Sequence, residues 1–166
     1  MNSQTLLKNF LLDVAPNYKH IYLHDIWNFD FKQLENKHDY IQWMFPNKKR
    51  SKFNIFCPTL KDDTIINNNE IKNNIKNSFL VILNFYGLKY SNDIIVKSDN
   101  YDNRLSKWCT KNNHNFLRIT RILNCLILFG LKKEANDFLK ILTQIYKENN
   151  DIISKTSYEY WKNTIK

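Results

Sequence analysis

Two arginines, Arg118 and Arg121, are the residues whose type and spacing point most directly to chemistry. We expect a helix that starts with Asn115 as its cap, so that both arginines fall in its opening turns. Positive charge at that end opposes the helix dipole, and side chains three residues apart share a face. Because this arrangement is unfavourable without a negative partner, the pattern predicts a carboxylate or a phosphate opposite the two guanidinium groups.

Two kinds of negative partner fit this pattern. In the first, the two guanidinium forks and the free amides of the helix start hold an anionic ligand. In the second, Glu35 or Asp39 packs against the arginines as an internal salt-bridge network. The second arrangement is the more common one for a half-buried arginine in a small domain. A network can also serve both roles, so the sequence leaves both interpretations open.

Four further polar residues are candidate ligand contacts because they lie in two unusual strings, LENKHDYIQWMFP at 34–46 and HNFLRITRILNCL at 114–126. Two of them are histidines, which titrate near neutrality and can act as an acid or a base. A weaker alternative is therefore an enzyme that uses one of these histidines with the arginines on a phosphoryl or carboxyl substrate. The predicted ligand-binding set is Glu35, His38, Gln42, His114, Arg118 and Arg121.

We interpret the chain as a non-enzymatic protein, because the usual signs of catalysis are missing from its sequence. It has two glycines, no glycine-rich phosphate loop and no serine or cysteine at a recognisable nucleophile elbow. His20 and His24 have helical metal-ligand spacing, but no cysteine or carboxylate is placed to complete a closed site. Asp99 and Asp102 fit the acidic first turn of a helix better than a catalytic pair. We predict no catalytic residue, no metal site and no cofactor.

The composition is that of a folded, basic domain. With 166 residues and a hydrophobic share of 43%, the chain can build one core. Its net charge of +9 attracts polyanions through the summed field, so a nucleic-acid-binding domain is the main alternative function. The lysines are scattered along the chain, however, and the charged string NKKRSK at 47–52 is interpreted as a solvated connector.

The cysteine pattern and the lack of a membrane segment predict an intracellular protein. Cys57, Cys109 and Cys125 are odd in number and widely separated, which favours neither a disulfide framework nor a thiolate metal site. The N-terminus does not have a signal-peptide pattern, because Lys8 and Asn9 interrupt its apolar run. No uncharged segment approaches the roughly 20 residues that span a bilayer. Any membrane attachment is therefore expected to be peripheral.

Apolar residues recur at helical spacing along most of the chain, and the few prolines and glycines mark element ends. Residues 17–30 show no clear period, residues 53–58 are predicted to be extended, and residues 88–98 are predicted to form a loop with a short strand at 94–96. We predict a mainly all-α protein: one globular helical domain over residues 1–166, with about six to eight helices and two irregular loops. The main helices are predicted to start near Ser3, Asn69, Tyr101, Asn115, Ala135 and Tyr158, with short helical segments near Asp30, near Tyr40, and at Thr59 or Asp62.

The strings quoted above resemble the conserved region of the opioid growth factor receptor family. The resemblance covers about residues 27–161 and includes, in family order, Trp27, the string at 34–46, Asn54, Thr59 with Leu60, LNFYGL at 83–88 and the string at 114–126. It implies a stand-alone conserved domain that binds a short enkephalin-type peptide or another anionic ligand. It also implies a place in the cytoplasm or nucleus, peripheral to a membrane. The chain departs from the family in stopping just after the conserved region and in its lysine-rich loop after Pro46.

Overall fold

The computed structural model describes residues 2–166, which form ten helices and one two-stranded sheet. The chain divides into two compact units between Val81 and Ile82, so the boundary falls inside the sixth helix. We call the part before this boundary unit 1 and the part after it unit 2. The elements are α1 (Ser3–Leu11), α2 (Leu23–Trp27), α3 (Phe31–Asn36), α4 (Ile41–Met44), α5 (Asp63–Ile66), α6 (Asn69–Phe85), β1 (Leu88–Ser91), β2 (Ile94–Lys97), α7 (Tyr101–Trp108), α8 (Asn115–Leu128), α9 (Lys132–Glu148) and α10 (Lys155–Asn163).

The mainly α-helical class predicted from the sequence is confirmed. The ten helices of residues 2–166 outnumber the predicted six to eight. The short helices α4 and α5 match the segments predicted near Tyr40 and Asp62, whereas α2, with five residues, is too short to show a helical period and was not predicted. None of the helices in this part of the chain is long and apolar enough to cross a membrane. The single domain over residues 1–166 stays a prediction, and its first residue lies outside the described part.

Helix α1 is capped by Asn2, and not by Ser3 as the sequence predicted. The side-chain oxygen of Asn2 accepts hydrogen bonds from two amides of the first turn, at 2.7 and 3.2 Å, so Ser3 becomes the first helical residue. The helix ends at Leu11 and does not continue to Val14. It stops because Asp13 adopts a left-handed conformation, with a φ of 60°.

The string at 34–46 is helical, as predicted, and packs into unit 1. The side chain of Asp30 caps α3 by accepting a 2.7 Å bond from the Gln33 amide, and the Gln33 side-chain oxygen accepts a 2.9 Å bond from the Asp30 amide. Helix α4 ends shortly before Pro46, which cannot continue it. Its Trp43 ring packs edge to face on Phe10 of α1, with centroids 5.1 Å apart. These contacts fix the direction of the α3–α4 segment.

Residues 53–58 form turns, so the prediction of an extended segment is wrong. The Ser51 hydroxyl accepts hydrogen bonds from the amides of Phe53 and Asn54, at 3.1 and 3.3 Å. The Asn54 side chain in turn accepts a 3.2 Å bond from the Cys57 amide. Side-chain acceptors thus take the amides that a strand would pair. The resulting loop buries Cys57 but leaves the rings of Phe53 and Phe56 each 77% exposed.

After the end of α6, unit 2 continues with a β-hairpin where the sequence predicted a loop with one short strand. Strands β1 and β2 are antiparallel, with Leu88 opposite Lys97 and Ser91 opposite Ile94. The two turn residues, Asn92 and Asp93, have φ values of 48° and 67°. Two successive positive φ angles are typical of the tight turn that joins paired strands. The Asn-Asp turn is a weaker sequence signal than Asn-Gly, so the strand at 88–91 was missed.

Helices α8, α9 and α10 pack against one another in unit 2, and β2 packs on α9. Trp161 of α10 is fully buried, and its indole nitrogen donates a 3.0 Å hydrogen bond to the carbonyl of Phe116 in the first turn of α8. Helix α10 therefore fixes the end of α8 from which the arginines project. The buried face of α8 is formed by Phe116, Ile119, Ile122, Leu123, Cys125 and Leu126.

Candidate functional site

The start of α8 is held by Asn113, so the prediction that Asn115 is the cap is wrong. The Asn113 side-chain oxygen accepts hydrogen bonds from both the backbone and the side-chain nitrogen of Asn115, each at 2.9 Å. Its carbonyl accepts a 3.1 Å bond from the Phe116 amide. His114 occupies the N-cap position without a capping bond from its side chain. Because the amides of Asn115 and Phe116 are taken, an anion at this end would depend mainly on guanidinium groups.

The two arginines do not extend freely into solvent. Arg118 is only 6% exposed, and one of its terminal nitrogens lies 3.4 Å from the Asn115 side-chain oxygen. The same oxygen is 3.4 Å from the Tyr86 hydroxyl, and Asn115 itself is fully buried. Arg121 is half-buried on the next turn of α8. Arg118 is thus oriented from inside unit 2, whereas part of Arg121 remains open to solvent.

The other three predicted ligand contacts lie in unit 1. Glu35 is half-buried in α3, and His38 is exposed between α3 and α4. Gln42 is 5% exposed in α4, where its side-chain nitrogen lies 3.5 Å from the Ser51 hydroxyl. The Gln42 carbonyl oxygen is buried without a hydrogen-bond partner within residues 2–166. The six predicted contacts are therefore divided equally between the two units, and their role in binding stays a prediction.

The metal-like spacing of His20 and His24 does not lie on a helix. His20 has a φ of 58° and precedes α2, which starts at Leu23. The His24 ring nitrogen Nδ1 instead lies 2.9 Å from both carboxylate oxygens of Asp13. Among residues 2–166, no group of three or more histidines, cysteines or carboxylates is arranged to hold a metal ion. Asp102 occupies the first turn of α7, in the dipole-compensating position that the sequence predicted.

The cysteine side chains are poor candidates for a nucleophile. Cys57, Cys109 and Cys125 are all free and buried. Burial raises the pKa of the Cys109 thiol to about 11, with a smaller contribution from the negative charge of Asp151. Burial also raises the pKa of Cys125 far above its ordinary range, against a small opposing effect of Arg121. At neutral pH these two thiols are protonated, and the thiolate is the reactive form.

Sequence reasoning missed a pocket of about 290 Å³ in unit 1, which we call the aromatic pocket. Three chain segments meet there: the turn before α2, the start of α4, and the loop after Pro46. Only a surplus of aromatic residues in the strings DYIQWMF and FNIF hinted at it, because no local pattern joins segments so far apart in sequence. Its main lining residues are Tyr18, Lys19, Asp39, Trp43, Asn54 and Phe56.

The chain is similar to several proteins of one family. Residues 5–166 match the sequence model described as the opioid growth factor receptor (OGFr) conserved region. The Xenopus tropicalis protein named opioid growth factor receptor-like protein 1 is 29% identical over 147 residues, which are 84% of this chain and 28% of that protein. The Mus musculus protein of the same name is 28% identical over 156 residues, or 88% of this chain and 33% of that protein.

A protein named opioid growth factor receptor, without the suffix "-like", is also similar to the chain. The Homo sapiens protein named opioid growth factor receptor is 30% identical over 111 residues, which are 64% of this chain and 16% of that protein. The chain therefore spans about a third or less of the length of these relatives. No solved structure matches the chain significantly.

Proposed function

Because this chain belongs to the family of the opioid growth factor receptor conserved region, as its sequence strings predict, we propose that it is a non-enzymatic binding module. The proposed ligand is a short peptide, or another molecule with an anionic group, held by the arginines of α8. The relatives are named as a receptor for an opioid growth factor and as a receptor-like protein, and these names support a binding role. The observation that supports the anion site is a pair of cations, Arg118 and Arg121, in the opening turns of α8, where the buried Asn115 side chain orients Arg118.

In this proposal the two arginines have different roles. Arg118 is buried and oriented by Asn115, so it positions the site. Arg121 keeps part of its side chain in solvent, so it is the residue that contacts the ligand. A guanidinium fork matches both oxygens of a carboxylate, which favours a peptide C-terminus over a neutral group.

The remaining predicted contacts are proposed with less structural support. Gln42, whose buried side-chain oxygen has no hydrogen-bond partner within residues 2–166, stays a prediction as a ligand contact. Glu35, His38 and His114 stay predictions as ligand contacts. The raised pKa of the Cys109 and Cys125 thiols argues against either as a nucleophile, and three buried cysteines outside any disulfide support a reducing location, in the cytoplasm or nucleus.

The carboxylate hypothesis is tested with an enkephalin-type pentapeptide made with a free and with an amidated C-terminus. We expect calorimetric titration to show binding of the free acid that is about tenfold tighter than that of the amide, since a charge-assisted hydrogen bond contributes about 1.5–3 kcal/mol. Arg121→Gln is expected to abolish this difference. Lys132→Gln, which removes an exposed cation at the start of α9, is the control and should leave it intact.

Two results would contradict the proposal. One is equal affinity of the acid and the amide for the folded wild type, or no binding of either peptide. The other is an Arg121→Gln variant that binds the free acid as tightly as the wild type does. Arg118 is not used as the primary variant, because removing a buried arginine is expected to change stability as well as binding.

A second candidate function, binding of single-stranded nucleic acid, is favoured by the loop after Pro46. Within nine residues the loop exposes Lys48, Lys49, Arg50 and Lys52 together with the rings of Phe53 and Phe56. Cations that contact phosphates and aromatic rings that stack on bases are the two parts of a sequence-tolerant single-strand site. The side chains of Ser51 and Asn54 hold this loop in a defined turn, so the two parts are presented together.

This alternative predicts a specific salt dependence. Binding of a fluorescent single-stranded oligonucleotide should weaken as salt rises. The slope of log K against log salt concentration should become less negative by about 0.7 for each phosphate contact that is lost. The variant Lys49→Gln with Arg50→Gln should therefore reduce the slope by about 1.4. The control, Lys111→Gln with Lys155→Gln, removes the same net charge from exposed sites outside the loop. Equal slopes for the two variants, or binding that does not respond to salt, would count against a nucleic-acid role for the loop.

A further inference from the structure

The aromatic pocket of unit 1 places aromatic rings beside a carboxylate. Tyr18 and Trp43 meet edge to face, with centroids 5.5 Å apart and an interplanar angle of 81°. Trp43 is 3% exposed and backed by Phe10, so it forms a fixed floor. Tyr18 and Phe56 are 58% and 77% exposed and form walls that a ligand can reach.

The negative group of this pocket is the carboxylate of Asp39, which lies four residues before Trp43. The Asp39 backbone is held by another lining residue, because the Asn54 side-chain nitrogen donates a 2.9 Å hydrogen bond to the Asp39 carbonyl. The Asp39 side chain is 34% exposed and forms an ion pair with the ammonium group of Lys19. The pocket thus already contains a positively charged nitrogen beside its aromatic walls.

Lys19 is a replaceable occupant of this position. Its side chain is 69% exposed, and it belongs to a turn of the backbone, not to a helix. An exposed ion pair of this kind adds little to stability, because solvent screens it and ordering the long side chain costs entropy. An ammonium group from another molecule can therefore take the place of Lys19 at small cost. In this respect Lys19 stands in for the ligand.

We propose that the aromatic pocket binds an alkylated ammonium group, as on a methylated lysine side chain or a small quaternary amine. A lysine ammonium is strongly hydrated, so it gains little from leaving water for a ring face. An alkylated ammonium loses less hydration and is attracted by the negative faces of several rings at once. The volume of about 290 Å³ suits one such head group. This site is separate from the proposed anion site on α8, which lies in unit 2.

The test uses N-acetyl-Nε-trimethyllysine amide, its unmethylated form, its neutral tert-butyl carbon isostere, and choline, each titrated into the full chain and followed by NMR. We expect trimethyllysine to bind at least about tenfold tighter than either the unmethylated form or the neutral isostere. Choline and trimethyllysine both carry the proposed group, so their relative affinity assigns the source of the natural ligand. Equal binding of the neutral isostere would overturn the proposal, since hydrophobic contact alone would then explain it.

Five variants locate the binding. Lys19→Gln removes the internal competitor and is expected to tighten trimethyllysine binding several-fold, whereas Asp39→Asn should weaken it about tenfold. Phe56→Ala should also weaken it, while Phe53→Ala should not, although both rings are 77% exposed, because only Phe56 lines the pocket. Arg121→Gln should not change the affinity for trimethyllysine. A negative result for the aromatic pocket can therefore be distinguished from a negative result for the anion site on α8.

The proposal is overturned if Phe53→Ala and Phe56→Ala weaken binding equally, or if Lys19→Gln weakens it. It is also overturned if neither the folded wild type nor Lys19→Gln shows saturable binding of trimethyllysine. Circular dichroism checks that each variant is folded. Should Asp39→Asn unfold, Lys19→Gln and Phe56→Ala still decide the question, because both side chains are mostly exposed.

Discussion

Replacing Trp161 with alanine is expected to lower the free energy of unfolding by about 3–5 kcal/mol, the largest effect that we predict for a single side chain. The Trp161 ring is fully buried and meets Phe116 and Tyr158 edge to face, with centroids 5.9 and 6.5 Å away. Most of the loss comes from the cavity left in the packing of α10 on α8. The hydrogen bond to the Phe116 carbonyl adds less, since the Thr120 hydroxyl also donates to that carbonyl, at 3.2 Å.

The neighbouring residue supplies a matched control for this prediction. Tyr160 lies on the same helix and is 58% exposed, so Tyr160→Ala should change the free energy of unfolding by no more than about 0.5 kcal/mol. Chemical denaturation followed by circular dichroism gives both values. A Trp161→Ala variant that loses less than about 1 kcal/mol would show that α10 does not hold the start of α8 as we infer.

Replacing Gly87 with alanine is expected to destabilise the protein by about 2–5 kcal/mol, for two reasons that add. Gly87 has a φ of 77°, a conformation that costs a residue with a side chain about 1–2 kcal/mol. In addition, a β-carbon at this position would lie 2.8 Å from the Tyr101 Cα and 3.0 Å from the Arg104 Cβ. The contact with Tyr101 is with backbone, so no side-chain rotation relieves it, and overpacking adds about 1–3 kcal/mol.

Gly130 separates the two contributions. Its φ of 74° is nearly that of Gly87, but a β-carbon there would meet no atom within 4 Å. Gly130→Ala should therefore show only the conformational cost of about 1–2 kcal/mol. Thermal and chemical unfolding of the two variants measures the difference. If both substitutions cost the same, the close approach of Gly87 to α7 contributes nothing to stability.

Elements with a strong local signal could be predicted from the sequence. Asp30 and Gln33 stand at the spacing of a capping box and form one. Gly87 and Gly130 were expected to end long helices, and both adopt the positive φ that favours glycine there. Helices α7, α9 and α10 follow their apolar stripes. In each case the residues that determine the structure lie within one or two helical turns of one another.

Elements without such a signal were missed for physical reasons. Helix α2 starts after Tyr22, which is not a usual capping residue; the cap is instead a 2.8 Å bond from the Tyr22 amide to the Asp25 carboxylate. At α8, three asparagines near the helix start compete for one capping role, and only the structure shows that Asn113 has it. Local preference alone could not choose among them.

The candidate sites show the same limit. The charge conflict that singles out Arg118 and Arg121 is visible in the sequence, because it depends on positions along one helix. The depth at which each arginine is buried is not visible in the sequence, because it depends on the packing around α8. The aromatic pocket is formed wholly by segments that are distant in sequence. The ion pair of Lys19 and Asp39 in this pocket could not be predicted, because the two residues are far apart along the chain.

The position of Lys19 sets the conditions under which the pocket can be occupied. A side chain tethered beside its partner acts at an effective concentration on the order of millimolar, and dilution of the protein does not reduce it. Any amine ligand must therefore compete with the Lys19 ammonium group at that effective concentration. An amine ligand at low concentration therefore does not displace Lys19. The pocket fills only when its ligand is abundant, or when a second attachment to the same surface brings the ligand close.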